Sequence, residues 1–139
     1  MIATAQDLLA RWVAEGLTMP GATEEAISEV EHRLHVTFPP ELHELYRATN
    51  GIKSWDSYTV RLWPLKRLAR VIDLEGTWPS ETGAELVVFA DFGLDAEWYA
   101  VDLGGGTRRG DVASVADSTI GWTRWSWLEA LAGDDELRW

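Results

Sequence analysis

Three stretches of the 139-residue sequence carry residue types that could do chemistry. His32 and His35 are three apart, with His43 beyond a Pro-Pro step, and three imidazoles could hold zinc. They sit among Glu and Arg, and the spacing fits no strong zinc motif, so they read as solvated helix-face histidines. Asp91, Asp95 and Glu97 cluster around a turn and could bind a hard cation or act as an acid/base pair. The pattern D-x-x-x-D-x-E lacks the longer ligand set of an EF-hand loop, so it reads as a solvated or partner-facing acidic turn. Gly104–Gly106 could cradle a phosphate, but no Lys-Ser/Thr follows as in a P-loop. A hairpin turn is the simpler reading, with Thr107-Arg108-Arg109 restarting a strand. No Gly-x-Ser-x-Gly elbow is present. The absence of cysteine excludes disulfides, thiolate zinc sites and a cysteine nucleophile. Enzyme chemistry has no positive support, and neither a cofactor nor a metal is expected.

The elements that must position these residues follow from periodicity. Leu8, Leu9, Trp12 and Val13 share one helical face, with Thr4 as cap and Gly16 as stop. A second helix starts at Thr23, where Glu24 and Glu25 favour the positive end of the helix dipole, and carries Ile27, Val30 and Leu34. Pro40 suits the first position of a third helix, because its missing N–H would be unsatisfied there anyway. Leu42, Leu45 and Tyr46 form that helix's apolar face, and Asn50-Gly51 stops it. The period then changes to two: Tyr58, Val60 and Leu62 alternate with Thr59 and Arg61. Leu65, Leu68 and Val71 fit a short helical turn or an edge segment. Strands are expected at 85–91 and 97–103, and a last short one at 112–115. Ser126-Trp127-Leu128-Glu129 is a capping-box pattern that opens a closing helix, with Leu128 and Leu131 inward and Gly133 at its end. Residues 134–139 read as a frayed tail. Helices, then strands, then one helix imply an α+β fold with N-terminal helices on a mostly antiparallel sheet, as a single domain over 1–139.

Charge narrows the partner class. The net charge is −11. Residues 1–70 hold 8 basic and 9 acidic side chains, whereas residues 71–139 hold 4 and 14. No Lys or Arg occurs between Arg70 and Arg108. Such a chain repels nucleic acid and anionic membranes, which need cations against their phosphates, and attracts basic proteins. The N-terminus has no basic region followed by an apolar run, and no stretch approaches the roughly 20 apolar residues of a bilayer span, so the protein reads as soluble and cytoplasmic. Nine tryptophans are more than a core of this size takes easily. Five or six are expected in packing and two or three at a surface, where indoles anchor partners.

The stretch GATEEAISEVEHRLHVTFPPELHELYRATNG, residues 21–51, resembles the opening module of the SUKH superfamily. That superfamily includes the yeast cell-wall-synthesis regulator family and many bacterial immunity proteins. The shared features are an acidic helix start, an elbow at Leu34-His35 and Phe38-Pro39-Pro40, and a second helix ending in Asn-Gly. Phe38 stands where the family usually has a small aliphatic residue such as Leu. The pair LVVFADFGLDAEWYAVDL resembles the second motif, with Asp91, Gly93 and Asp102 at its polar and glycine positions. TRWSWLEAL looks like the closing helix. The resemblance spans about residues 20–132.

The resemblance implies a non-enzymatic binding protein: an immunity protein that neutralises a cognate bacterial toxin. The charge independently favours a basic, nuclease-type toxin: such a toxin binds phosphate with basic residues, and an acidic surface can imitate that phosphate and block them. The residues expected at that surface are Asp91, Asp95, Glu97 and Asp102 as charge partners. Trp98, Trp55 and Tyr58 are the expected aromatic anchors, with Asp56 beside them. A regulatory or scaffold module is the alternative the yeast branch implies, and a small-ligand groove beside the sheet is a third. The oligomeric state is open.

Overall fold

A computed structural model describes residues 4–75, 85–116 and 119–133. The expected tail at 134–139, and Trp78, Glu81 and Trp139, lie outside the described residues. Three helices come first: α1 (Ala5–Ala14), α2 (Glu24–Leu34) and α3 (Pro40–Ala48). Each starts as its sequence suggests. The Asp7 amide donates to Thr4 Oγ1 at 3.1 Å, and the Thr4 amide donates back to the Asp7 carboxylate at 3.1 Å. Thr23 Oγ1 accepts from the Ala26 amide, and Pro40 holds the first helical position of α3. The α2 helix ends on His35 in the left-handed conformation, which turns the chain into the elbow. Phe38 is buried there against Tyr46, with ring centroids 5.7 Å apart, so the larger side chain fills the space under the elbow.

The chain then forms β1 (Val60–Leu62), a 3-10 turn (Leu65–Arg67), β2 (Ala69–Arg70) and α4 (Val71–Glu75). Leu65 opens the 3-10 turn, Leu68 follows it and Val71 opens α4, with the edge strand between them, and all three are buried. Then come β3 (Leu86–Phe92), β4 (Glu97–Asp102), β5 (Asp111–Ala116), β6 (Thr119–Ser126) and α5 (Trp127–Ala132). The sheet order is β1-β3-β4-β5-β6, with β2 beside β1 on the same edge of β3, and every pair is antiparallel. The architecture is α+β, with helices first, an antiparallel sheet, and a closing helix.

Two local expectations are corrected. The strand at 112–115 is not the last: β6 follows it and takes the first half of the segment read as closing helix. Residues 107–109 do not restart a strand. Arg109 instead donates to the carbonyls of Leu103 (2.7 Å), Gly104 (3.3 Å) and Thr37 (2.6 Å), which pins the β4–β5 connection to the elbow.

The core lies between the helices and β3, whose residues Leu86 to Asp91 are all buried. Trp12, Tyr46, Phe89 and Tyr99 are its largest fully buried side chains. The Tyr46 hydroxyl donates to the Trp63 carbonyl at 2.8 Å, which satisfies its one polar atom. Arg11 ties α1 to the end of α5: it donates to the carbonyls of Ala132 (2.7 Å) and Leu131 (3.2 Å), which have no partner within their own helix.

Candidate functional site

Antiparallel register places Arg61 of β1, Asp91 of β3 and Trp98 of β4 side by side across the sheet. Asp91 is completely buried. An ionised carboxylate there is tolerable only if donors replace its water. Four groups do so. Arg61 donates through Nε at 3.0 Å and pairs through Nη2 at 2.9 Å. Trp63 Nε1 donates at 2.6 Å, Trp55 Nε1 donates to the other oxygen, and the Asp95 amide donates at 3.1 Å. One buried charge therefore fixes two indoles, a guanidinium and the start of a turn.

The outer parts of this cluster are stacked on each other. The Arg61 guanidinium lies 4.1 Å from the centroid of the Trp55 ring, and that of Arg67 lies 3.7 Å from the centroid of Trp63. Trp98 meets Trp63 edge to face at 5.7 Å and donates through Nε1 to Asp95 at 2.9 Å. Arg67 reaches the same Asp95 carboxylate at 3.6 Å. Trp55 and Trp98 are half-buried, Asp95 is exposed, and Leu94 at the tip of the β3–β4 turn is more exposed still.

Asp56 anchors a second group beside the first. It is buried, and one oxygen accepts from Trp12 Nε1 and Arg11, each at 2.9 Å. The other accepts from the amides of Tyr58 (2.9 Å) and Val60 (3.1 Å). Tyr58 is exposed and lies over Arg11, 4.5 Å from the guanidinium carbon to the ring centroid. The Gly93 amide donates to the Thr59 carbonyl at 3.0 Å and joins the two groups. Glu97 opens β4 half-buried, in register with Phe92.

Three expected contact residues need correction. Asp91, Asp56 and Asp102 are buried and cannot present charge to a partner. Asp102 closes the other end of β4, where it accepts from the amides of Glu85 (3.1 Å) and Gly104 (2.8 Å). These carboxylates hold the fold and position their neighbours. The expected lopsided field is also reduced, because β1 and β2 lie against β3. Arg61, Arg67 and Arg70 pair with Asp91, Asp95 and Glu85, the last at 3.3 Å. Cations from the balanced half of the chain thus neutralise acids of the other half. Arg61, Arg67 and Trp63 are the members that sequence reasoning missed. Their signal was the alternating stretch after Tyr58, which places Arg61 one strand away from Asp91.

Of the tryptophans, Trp12, Trp63 and Trp127 are buried, and Trp55, Trp98, Trp122 and Trp125 are half-buried. His32 and His35 are exposed, with ring centroids 6.4 Å apart. They line an open groove of about 750 Å³ together with Glu31, Val36, Leu103 and Arg109. His43 bonds Glu24 at 2.8 Å, and that hydrogen bond raises its pKa above the ordinary histidine value. Among the described residues, no group of three or more His, Cys, Asp or Glu could hold a metal, and no helix is long and apolar enough to cross a membrane.

No curated protein matches the chain. The family model described as SMI1 / KNR4 family (SUKH-1) matches residues 21–127. The match runs from the turn before α2, through the whole sheet with its Asp91 cluster, to the first residue of α5. It covers most of the chain, so this protein belongs to the SMI1/KNR4 family (SUKH-1).

Proposed function

We propose that this protein is a non-enzymatic, cytoplasmic immunity protein that binds and neutralises a cognate bacterial toxin. The binding face we assign comprises Trp55, Tyr58, Asp95 and Trp98; Glu97, one position before Trp98 and paired with Phe92, points to the other face of the sheet. Membership of the SUKH-1 family is consistent with an immunity or a regulatory role. One observation carries the choice of face: the buried Asp91 holds the half-exposed Trp55 indole and the Asp95 amide, and the exposed Asp95 carboxylate holds the Trp98 indole. Groups fixed before binding lose little freedom on association, and aromatic anchors of this kind carry most of the energy of protein interfaces. Asp95, with a net charge of −11, favours a basic toxin of the nuclease type. The same charge disfavours nucleic acid and anionic membrane as direct partners. Asp91 and Asp56 act from behind the face as positioning residues, and Asp102 holds the far end of β4.

The test is co-expression with the product of the gene directly upstream, where the reading places the cognate toxin. The expected result is rescue of growth, co-purification, and binding that weakens steeply with salt. The variant D95N removes the charge but keeps an acceptor for Trp98 and a residue that tolerates the left-handed turn, so it should weaken protection while its melting temperature stays within a few degrees of wild type. Full protection by that variant shows that the face is wrong. A stable complex with a cellular protein, and no protection from the toxin, replaces immunity with the regulatory role.

A further inference from the structure

The corner that carries this face is also where the backbone is most strained. Among the described residues, four other than glycine have positive φ: His35, Thr59, Leu94 and Asp95. His35 is a helix C-cap, an ordinary place for that conformation. The other three meet at one corner, joined by the hydrogen bond from the Gly93 amide to the Thr59 carbonyl. The Ala96 amide closes a turn onto the Gly93 carbonyl at 3.3 Å, and both central residues are left-handed, Leu94 at φ 59° and Asp95 at φ 75°. Asn-Gly is favoured in such a turn. Aspartate tolerates the conformation, but leucine is disfavoured because its Cβ crowds the following carbonyl. Leu94 is also 66% exposed, the highest value among the large hydrophobic residues described. The position is thus unfavourable in backbone and in solvation at once. Strain of this kind gathers where a group must be displayed.

We propose that Leu94 is the anchor of the partner contact. It enters an apolar socket on a basic protein, and Lys or Arg at the rim of that socket pairs with the Asp95 carboxylate. This deepens the binding role proposed above and rests on it. The turn is held rigid on both sides, by Asp91 accepting from the Asp95 amide and by Trp98 donating to the Asp95 carboxylate. Charge decides between occupants. Two copies of this chain would carry −11 each and repel, whereas a cationic protein is attracted by the charge of the chain as a whole, and the exposed Asp95, held by Arg67 on one side, can accept from it.

The test uses the full chain and the upstream toxin, inactivated at its catalytic residue, with Kd read by calorimetry and melting by circular dichroism. Leu94→Met should bind within about threefold of wild type. Leu94→Gly and Leu94→Lys should each bind about 10- to 100-fold more weakly. Leu94→Gly should also melt above wild type, because glycine removes the left-handed strain, while Leu94→Lys should not. Loss of affinity with gain of stability separates a binding role from a structural one. Binding by Leu94→Gly within twofold of wild type overturns the anchor and leaves the immunity reading intact. A wild-type dimer in sedimentation that Leu94→Lys disperses also overturns it, by seating a second copy on the corner. No binding of the toxin by wild type removes the immunity reading, and the anchor with it.

Discussion

Replacing Asp91 by alanine tests the central assignment most directly. The change strands a guanidinium that is 19% exposed, two indole N–H groups and the Asp95 amide around a small cavity. Removing one partner of a buried ion pair costs about 3–5 kcal/mol, because the other charge stays buried without compensation. With a urea m-value of about 1.5 kcal/mol/M, the midpoint should fall by about 2–3 M. Domains of this size are stable by about 5–15 kcal/mol, so the variant folds but melts early. Urea unfolding followed by circular dichroism gives the number. The double variant D91A/R61M removes the stranded charge as well. It should unfold no more easily than D91A alone, with a coupling of about 2 kcal/mol between the two sites. A loss below about 1 kcal/mol for D91A would show that Asp91 is not the hub, and the face built on it would lose its support.

Two further outcomes follow from local geometry. A Cβ on Gly21 would stand 1.8 Å from the Arg47 carbonyl oxygen, whereas one on Gly105 meets nothing within 4 Å. Gly21→Ala should therefore cost about 3 kcal/mol in urea unfolding, and Gly105→Ala less than about 0.5 kcal/mol. His43 has its pKa raised in the folded state by Glu24, so its contribution is fully present below the unfolded value of about 6.5. That contribution is lost as pH rises through the higher folded value. Melting curves across this window should show the loss in wild type and not in Glu24→Gln.

The helices were legible because local rules decide them. Thr4, Thr23 and Ser126 each accept from the amide that their capping roles require, and Gly133 ends α5 in the left-handed conformation. The β3–β4 pair was legible from its apolar run and the polar turn between. β6 was not, because the stretch from Thr123 resembled a closing helix, whereas the capping box at Ser126 opens that helix only at the strand's end. The α3 stop was only partly legible. Thr49 caps the helix, while Asn50 accepts from the Leu65 amide and Gly51 lets the backbone pass Pro64 closely. The site was half legible. Trp55, Trp98, Asp91 and Asp95 do gather at one place, but acidity alone suggested solvent for all of them. Whether an aspartate faces water depends on which cations the strand register brings beside it. Arg61 is 30 positions from Asp91 in the chain, so only the sheet pairing shows that it is the partner.

The clasp of Arg11 on the carbonyls of Leu131 and Ala132 spans 120 and 121 positions. It makes this a fold that locks last at its far end. During synthesis the first helix emerges early and its guanidinium can meet Asp56, but its two carbonyl partners arrive only with residues 131 and 132. Until then the Asp56 carboxylate has Arg11 and Trp12 as neighbours without the closing helix above them. A nascent chain halted before residue 127 would therefore stay open at this seam and stand exposed to proteases.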